Sequence, residues 1–472
     1  MFLGLDLGTG SLKALLLDEA GRVRGEASRA YPVHSPHPGW AESDPQDWWK
    51  AAGEAVREAV PDPARVRAVG LSGQMHGVVL CREDGAPLRP AILWADGRSE
   101  AELEPYRRLS PEFRYRLANP PAVGMAGPSL LWLKAHEPEV YRSARWALQP
   151  KDWLRLRLTG EARSEPSDAS GTLLYDLQAD RWFTALLERL GLRQDWLAPL
   201  VPSASVAGHL TPGAAQHLGL RAGTPVAAGA ADTAAALLGS GVAPGEVQLT
   251  VGSGAQIAVV LEEARIDPTL RTHLYRAACP GRWYAMAALQ NAGIALEWVL
   301  SALGLNWTEA YREAQKAPPG CEGLTFLPYL TGERTPHLDP QARGAWGGLG
   351  LGHGRPHLVR AALEGLAFAL REGLEALGEA VPATGPLCIA GGGTLEPFWR
   401  QMLSDVLGRP LGAASVPSAS ARGAALLGAV ALGTDPGWPL EPPKPVAQPQ
   451  PSPYAAAYAR FRDLYRRLKG WG

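Results

Sequence analysis

LGLDLGTGSLKALLLDEAGRV, residues 3–23, reads as two apolar strands joined by a glycine-rich turn, with a carboxylate, Asp6, inside the first strand. A carboxylate in a buried strand is costly unless something charged meets it. The turn GTGS sets Gly8 and Gly10 around Thr9, and DEAG at 18–21 leads into a third strand, VRGEASRAY, so the chain opens as an antiparallel meander. The same pattern returns at 247–261, where VQLTVGSGAQIAVVL gives strand, turn (Gly252, Ser253, Gly254) and strand. Two similar domains in tandem, each starting with a hairpin whose tip carries glycine and hydroxyl groups, are the economical reading.

Between these hairpins strands and helices alternate, which is the α/β pattern. DPQDWWKAAGEAVREAV at 44–60 has helix-start chemistry, with Asp44 as cap, Pro45 in the first turn, and Trp48, Ala52 and Val56 on one face. RVRAVGLSGQ follows as a strand that ends in a glycine turn. The second half closes with the strand PLCIA, the turn GGGT and the helix EPFWRQMLSDVLG. A proline-rich surface connector at 435–453 then leads to Tyr454, Tyr458, Phe461 and Tyr465 at helical spacing, a closing helix that packs back on the body.

A chain of 472 residues exceeds what one core usually serves. Its net charge of −1 and lack of a basic block argue against nucleic acid or an anionic membrane as the main partner. Cys81, Cys279, Cys321 and Cys388 are scattered, which suggests neither a CxxC metal site nor a disulfide framework. The first residues enter a strand pattern without a charged leader, and the longest apolar run, GAALLGAVALG at 423–433, is too short to span a bilayer. The expected setting is cytoplasmic.

Three glycine-rich turns directly after strands (8–10, 252–254, 391–393) suggest a phosphate-bearing ligand, because glycine lets backbone N–H groups approach anionic oxygens with no Cβ in the way. No lysine follows a glycine, so the P-loop is absent. GTGSLK has Lys13 where the dinucleotide fingerprint needs its third glycine. A nucleotide, if bound, must sit between two opposed hairpins.

DLGTGS with Lys13, the paired hairpins, AGGG before a helix and the run GAWGGLGLGHGRPHLVRAALEG together resemble the FGGY carbohydrate kinases, of the actin-like, ribonuclease-H-like ATPase superfamily. Gly344, Trp346, Gly348, Leu349, His357, Ala361 and Glu364 fit that family's C-terminal signature, and the resemblance covers essentially 1–435. In MAGPSLLWLKAHEPE, Ser129 stands where the family's other signature usually has lysine. The resemblance implies an α/β protein of two tandem actin-like (ribonuclease-H-like) ATPase domains with an inter-domain cleft. Residues 1–243 would carry the sugar site, the first phosphate hairpin and the catalytic aspartate, 244–435 the nucleotide site, and 436–472 the connector and closing helix. It also implies ATP and Mg²⁺. Asp6 would hold Mg²⁺, directly or through water, where the bare alternative is a carboxylate bonding turn amides. Gly8, Thr9, Gly10, Ser11 and Lys13 would meet the phosphates, Gly252 and Ser253 would close on them, and Gly391, Gly392 and Gly393 would flank the adenosine.

VAAGAADTAAALLGSG places Asp232 where an apolar strand meets a small-residue helix. Such an aspartate is most often only a helix cap. Its small neighbours leave room for a ligand, however, and the transferring phosphoryl needs a base for the sugar hydroxyl. The family's base sits in this G-x-x-D-x-x-A context, which assigns Asp232 that role, with the helix N-terminus expected to keep it ionised. The turn GQMHG sets Met75 and His76 towards the cleft, and with RPAILWADGRS it is similar to the xylulokinases of the family, whereas the glycerol kinases carry a QRE-type sequence there. Trp94 and Asp96, and with them Ser167 and Asp168, are candidates for the same pocket. The implied partners are ATP and D-xylulose, with no nucleic acid and no membrane, and a homodimer is left open. The rivals are a kinase for ribulose, gluconate, glycerol or another polyol, and an actin-like nucleotide-binding module that transfers no phosphate.

Overall fold

Strands β1 (Phe2–Leu7) and β2 (Ser11–Leu17) pair antiparallel with Asp6 opposite Lys13, and β3 (Val23–Ala30) completes the meander. The computed structural model describes all residues except 384, 414, 415, 417, 435, 436, 439, 441, 452 and 472. β1 is apolar on both faces because it is central. On its other side it runs parallel to β4 (Ala68–Gly73), with Asp6 beside Ser72. Further out lie β5 (Val206–His209) and β6 (Pro225–Ala227), in the order β5-β6-β4-β1-β2-β3, and the short β7 (Ala230–Ala231) also runs parallel to β4. Helix α1 (Pro45–Ala59) begins as its sequence predicts: the Asp44 carboxylate accepts from Gln46 N at 2.9 Å, and Trp48, Ala52 and Val56 are buried.

The second sheet repeats the plan. β8 (Val247–Val251) and β9 (Ala255–Leu261) form the hairpin, followed by β10 (His273–Arg276), β11 (Trp283–Leu289), β12 (Leu387–Ala390), β13 (Leu411–Ala413) and β14 (Lys444–Ala447). Their order is β10-β11-β9-β8-β12-β13-β14, with β8 and β12 parallel as β1 and β4 are. The protein is thus an α/β molecule of two actin-like halves. The proline-rich connector is less irregular than its sequence suggests, since β14 pairs antiparallel with β13 at the sheet edge. An edge strand tolerates the missing N–H of Pro445. The expected end of the second domain, residue 435, lies outside the described residues.

Helix α2 (Pro150–Thr159) packs against β4, and α3 (Asp232–Ser240) follows β7 directly. The largest helix, α4 (Arg355–Ala380), crosses the second core. Helix α5 (Pro397–Leu407) follows the AGGG turn. Helix α6 (Ala419–Ala431) belongs by sequence to the second half, yet it packs on β1, β4 and α3 of the first. The closing helix α7 (Ala455–Leu468) buries Tyr458, Phe461 and Tyr465, with Tyr454 buried just ahead of it. Among the described residues no helix is long and apolar enough to cross a membrane.

Candidate active site

Three parallel strands of the first sheet end side by side. Asp6 on β1 lies next to Ser72 on β4, and Ser72 lies next to Ala230 on β7. From these ends the chain leaves into the GTG turn, the Met75–His76 turn and α3, whose first residue is Asp232. Carboxyl ends of parallel strands are where α/β sheets hold ligands. In the second sheet β8 and β12 likewise end together, in Gly252–Gly254 and Gly391–Gly393. Gly391 has φ +90°, and a Cβ there would lie 2.4 Å from Val251 O, so glycine alone fits that turn.

Two cavities meet at this edge. The smaller, about 310 Å³, is lined from the first half by Thr9, Met75, His76, Trp94 and Asp232, and from the second by the Gly252–Gln256 turn and Arg334. The larger, about 680 Å³, is walled by Trp307, Tyr311, Leu366 and Trp399, with Gly392 and Gly393 at its edge. Gly252 and Ser253 line both cavities. A group reaching from one to the other passes this hairpin tip. The larger cavity has the aromatic walls that suit a flat base, and the smaller holds the polar groups that suit a sugar.

Asp6 accepts from Ser72 Oγ at 2.8 Å, and burial raises its pKa against the opposing effects of Ser72 and Lys13. Asp232 Oδ1 accepts from Thr233 N at 2.6 Å and Thr233 Oγ1 at 3.2 Å. The N-cap position is Ala231, and the Asp232 carboxylate serves the first turn of α3 only through its neighbour Thr233. The expectation that the helix end keeps it ionised is corrected. Burial, and next the negative charge of Asp6, raise Asp232 to about 7 despite the Thr233 bonds. Two carboxylates that destabilise each other's charge form a donor set suited to a divalent cation. Among the described residues no group of three or more His, Cys, Asp or Glu could hold a metal, so such an ion would take its remaining ligands from water or phosphate.

His76 has φ +72°, and Gly77 N donates to Met75 O at 2.8 Å across it, a tight turn of a strained kind. Its Nδ1 lies 2.6 Å from Gly171 O, and a carbonyl can only accept, so Nδ1 carries the proton and Nε2 is left as an acceptor. Burial, and next the Arg334 charge, push the imidazole down to about 4, so it is neutral.

Not every sequence candidate reaches the cavities. Asp96 is a departure: its carboxylate accepts from Ala41 N at 2.6 Å and pairs with Arg98 at 2.7 Å, bracing the segment that presents Trp94. Ser167 and Asp168 lie beneath the site. Ser167 Oγ donates to Glu165 and accepts from Ala231 N at 2.9 Å, just before Asp232. Asp168 stands 3.4 Å from Lys151 Nζ. Burial works against that ammonium, but Asp152, Glu165 and Asp168 hold it charged. Lys13 Nζ donates to Ser418 Oγ at 2.9 Å and stands 3.5 Å from Glu26. Gly8 and Gly252 each spend their N–H inside their own turn, on Ser11 O and Gly254 O. Thr9 faces the smaller cavity and accepts from Trp94 Nε1 at 2.8 Å, while Gly10 and Ser11 complete the tip and the start of β2. Arg334 and Gln256 were not legible as site residues. GERTP reads as an ordinary loop, and Gln256 as one polar position of a strand.

Residues 1–239 match the FGGY family of carbohydrate kinases, N-terminal domain, and residues 247–432 match its C-terminal domain. The chain is 37% identical over 481 residues to the xylulose kinase of Escherichia coli (strain K12), covering 99% of each. Among solved structures it is similar to a xyloylose kinase from Brucella ovis, with TM-score 0.92, 36% identity and full coverage of both chains. It is also similar to the xylulose kinase from Rhodospirillum rubrum, with TM-score 0.90, 32% identity and coverage of 100% of this chain and 99% of that one.

Proposed function

Since the chain belongs to the FGGY family of carbohydrate kinases, and is a sugar kinase by that membership, we propose that its substrate is D-xylulose, phosphorylated by ATP at the C5 hydroxyl. The observation that carries this reading is the smaller cavity, where the Asp232 carboxylate shares a lining with the neutral His76 and the tip of the second hairpin. An uncharged polyhydroxylated chain spans such a site, with the reacting hydroxyl at Asp232 and the keto end towards His76. Asp232 takes the hydroxyl proton as the sugar oxygen bonds to the γ-phosphorus. The bond from phosphorus to the β,γ-bridging oxygen breaks, and its electron pair leaves with ADP. Ser72 holds the Asp6 carboxylate at the strand ends, and closing the hairpin tips excludes water as a competing acceptor.

Asp6, with Asp232 near it, would hold the Mg²⁺ of MgATP, which when bound neutralises phosphate charge. The adenosine would lie between Trp307, Tyr311 and Trp399, against Gly392 and Gly393. The test is ADP release at fixed MgATP with D-xylulose, D-ribulose, L-ribulose, gluconate and glycerol. D-Xylulose is expected to give the highest kcat/KM, and a higher value for gluconate or glycerol overturns the reading.

A further inference from the structure

The hydrogen-bonding groups at the keto end of the smaller cavity are unevenly committed. A keto oxygen only accepts, whereas a hydroxyl both donates and accepts. His76 presents Nε2, an acceptor, since its N–H is given to Gly171 O. Trp94 Nε1 is given to Thr9 Oγ1 at 2.8 Å, and Gln290 Nε2 to Thr331 O at 3.3 Å. The Gln256 amide lies at the other end, where its Oε1 accepts from Thr233 beside Asp232.

Arg334 differs from all of these. Its backbone is fixed, because Glu333 Oε1 accepts from Gln290 N and from Arg334 N at 2.7 Å each. Glu333 and Asp339 also exchange two backbone bonds of 2.9 Å. Its guanidinium is nearly uncommitted: among the described residues it makes one hydrogen bond, a long one of 3.4 Å from Nη2 to Val123 O. Cζ stands 6.0 Å from the centroid of Trp94, a residue of the other half of the molecule. Arg334 and Asp232 are the charged side chains lining the cavity. The charge of Arg334 acts on His76 and His273, which places it at the His76 end.

We propose that Arg334 is a specificity-determining residue, whose guanidinium donates to the C2 keto oxygen of the sugar and so selects 2-ketoses over the matching alditols. An alditol puts a hydroxyl there: it can still accept from the guanidinium, but its own proton must compete for His76 Nε2, which a ketose leaves to its neighbouring hydroxyls. One donor more than the acceptors present leaves a buried polar hydrogen unpaired, and that is what separates the two substrates. This assignment rests on the reading that the substrate is a 2-ketose.

The test compares D-xylulose with xylitol in the wild type, Arg334→Met and Arg334→Lys, at saturating MgATP. Arg334→Met is expected to raise the ketose KM about tenfold or more while the KM for ATP holds, so that the ketose-to-alditol ratio of kcat/KM falls. Arg334→Lys keeps a charged donor and recovers part of that ratio. A ratio unchanged in Arg334→Met, or a Lys variant no better than the Met variant, overturns the assignment. A readout that needs no variant is competition against the ketose by a five-carbon aldonate, whose carboxylate suits the guanidinium fork. It should inhibit the wild type more strongly than xylitol does, and inhibition no stronger than that of xylitol counts against Arg334. A wild type that prefers gluconate or glycerol to every 2-ketose defeats the substrate reading instead.

Discussion

Asp232, the proposed base, pairs that proposed role with an electrostatic cost. Removing its charge with Asp232→Asn keeps the shape but not the proton acceptor, so kcat is expected to fall by ~10²–10⁴. The sugar Kd, read by calorimetry, should change little, and a variant keeping a tenth of wild-type kcat would place the base elsewhere. The same substitution tests the electrostatics. In the fold Asp232 titrates near 7, against an ordinary value of 3.8. Between those two values the folded chain holds a proton that the unfolded chain has released, so stability falls as pH rises through this window. Above it the cost of the buried charge is complete. Asp232→Asn should therefore raise Tm more at pH 8 than at pH 5, measured without nucleotide or metal. Equal shifts at both values would mean that the carboxylate is not destabilised. Sequence made this residue legible as a candidate through the resemblance of its G-x-x-D-x-x-A context to that of the family, a local pattern. Its pKa was not legible, because the charge that helps raise it, on Asp6, comes from a strand more than two hundred residues away in the chain.

At the scale of elements, the alanine- and glycine-rich run at 423–433 forms the later part of α6 and its C-terminal end, with the helix pressed between the first sheet and α3. A Cβ on Gly423 would lie 1.9 Å from Ala235 O, and one on Gly70 would lie 1.7 Å from Ala424 O. The two effects of Gly423→Ala oppose each other. Helix propensity favours alanine by about 1 kcal/mol, whereas forcing apart two packed backbones costs about 1–3 kcal/mol. The contact is with backbone, which cannot rotate away, so the clash wins and the variant is expected to melt earlier. A higher Tm would show that the α3–α6 crossing has slack. The hairpins, the α1 cap and the closing helix were legible because their signals are local: a turn, a capping carboxylate, a period of four. The seat of α6 was not, because small residues say that something approaches closely without saying what. The C-terminal signature also has a structural side: Glu364 accepts from Gly320 N at 3.0 Å and from Arg360 Nε at 2.7 Å, and Arg360 Nη2 donates to Tyr454 at 2.9 Å. These bonds tie α4 to the start of the tail.

Across the whole molecule, the tail does more than cover a core. The loop that carries Arg334 is held from outside by α7, where Tyr465 donates to Asp339 Oδ2 at 2.9 Å and its ring stacks on His337 at 3.8 Å. Asp339 in turn bonds the backbone of Glu333, and the Glu333 carboxylate accepts from the N–H of Arg334. The last helix is thus linked through one short loop to a guanidinium at the smaller cavity, on a path that does not pass through the walls of the larger one. Tyr465→Ala removes the hydroxyl bond and the stacked ring, and should raise the KM for sugar several-fold while leaving that for ATP unchanged. Placed on an Arg334→Met background, it should add little further, since the loop's contact with sugar is already gone and neighbouring effects of this kind do not sum. Parallel rises in both KM values would reduce α7 to general closure of the body. A full additional loss on the Arg334→Met background would show that Tyr465 acts on the sugar site by another route.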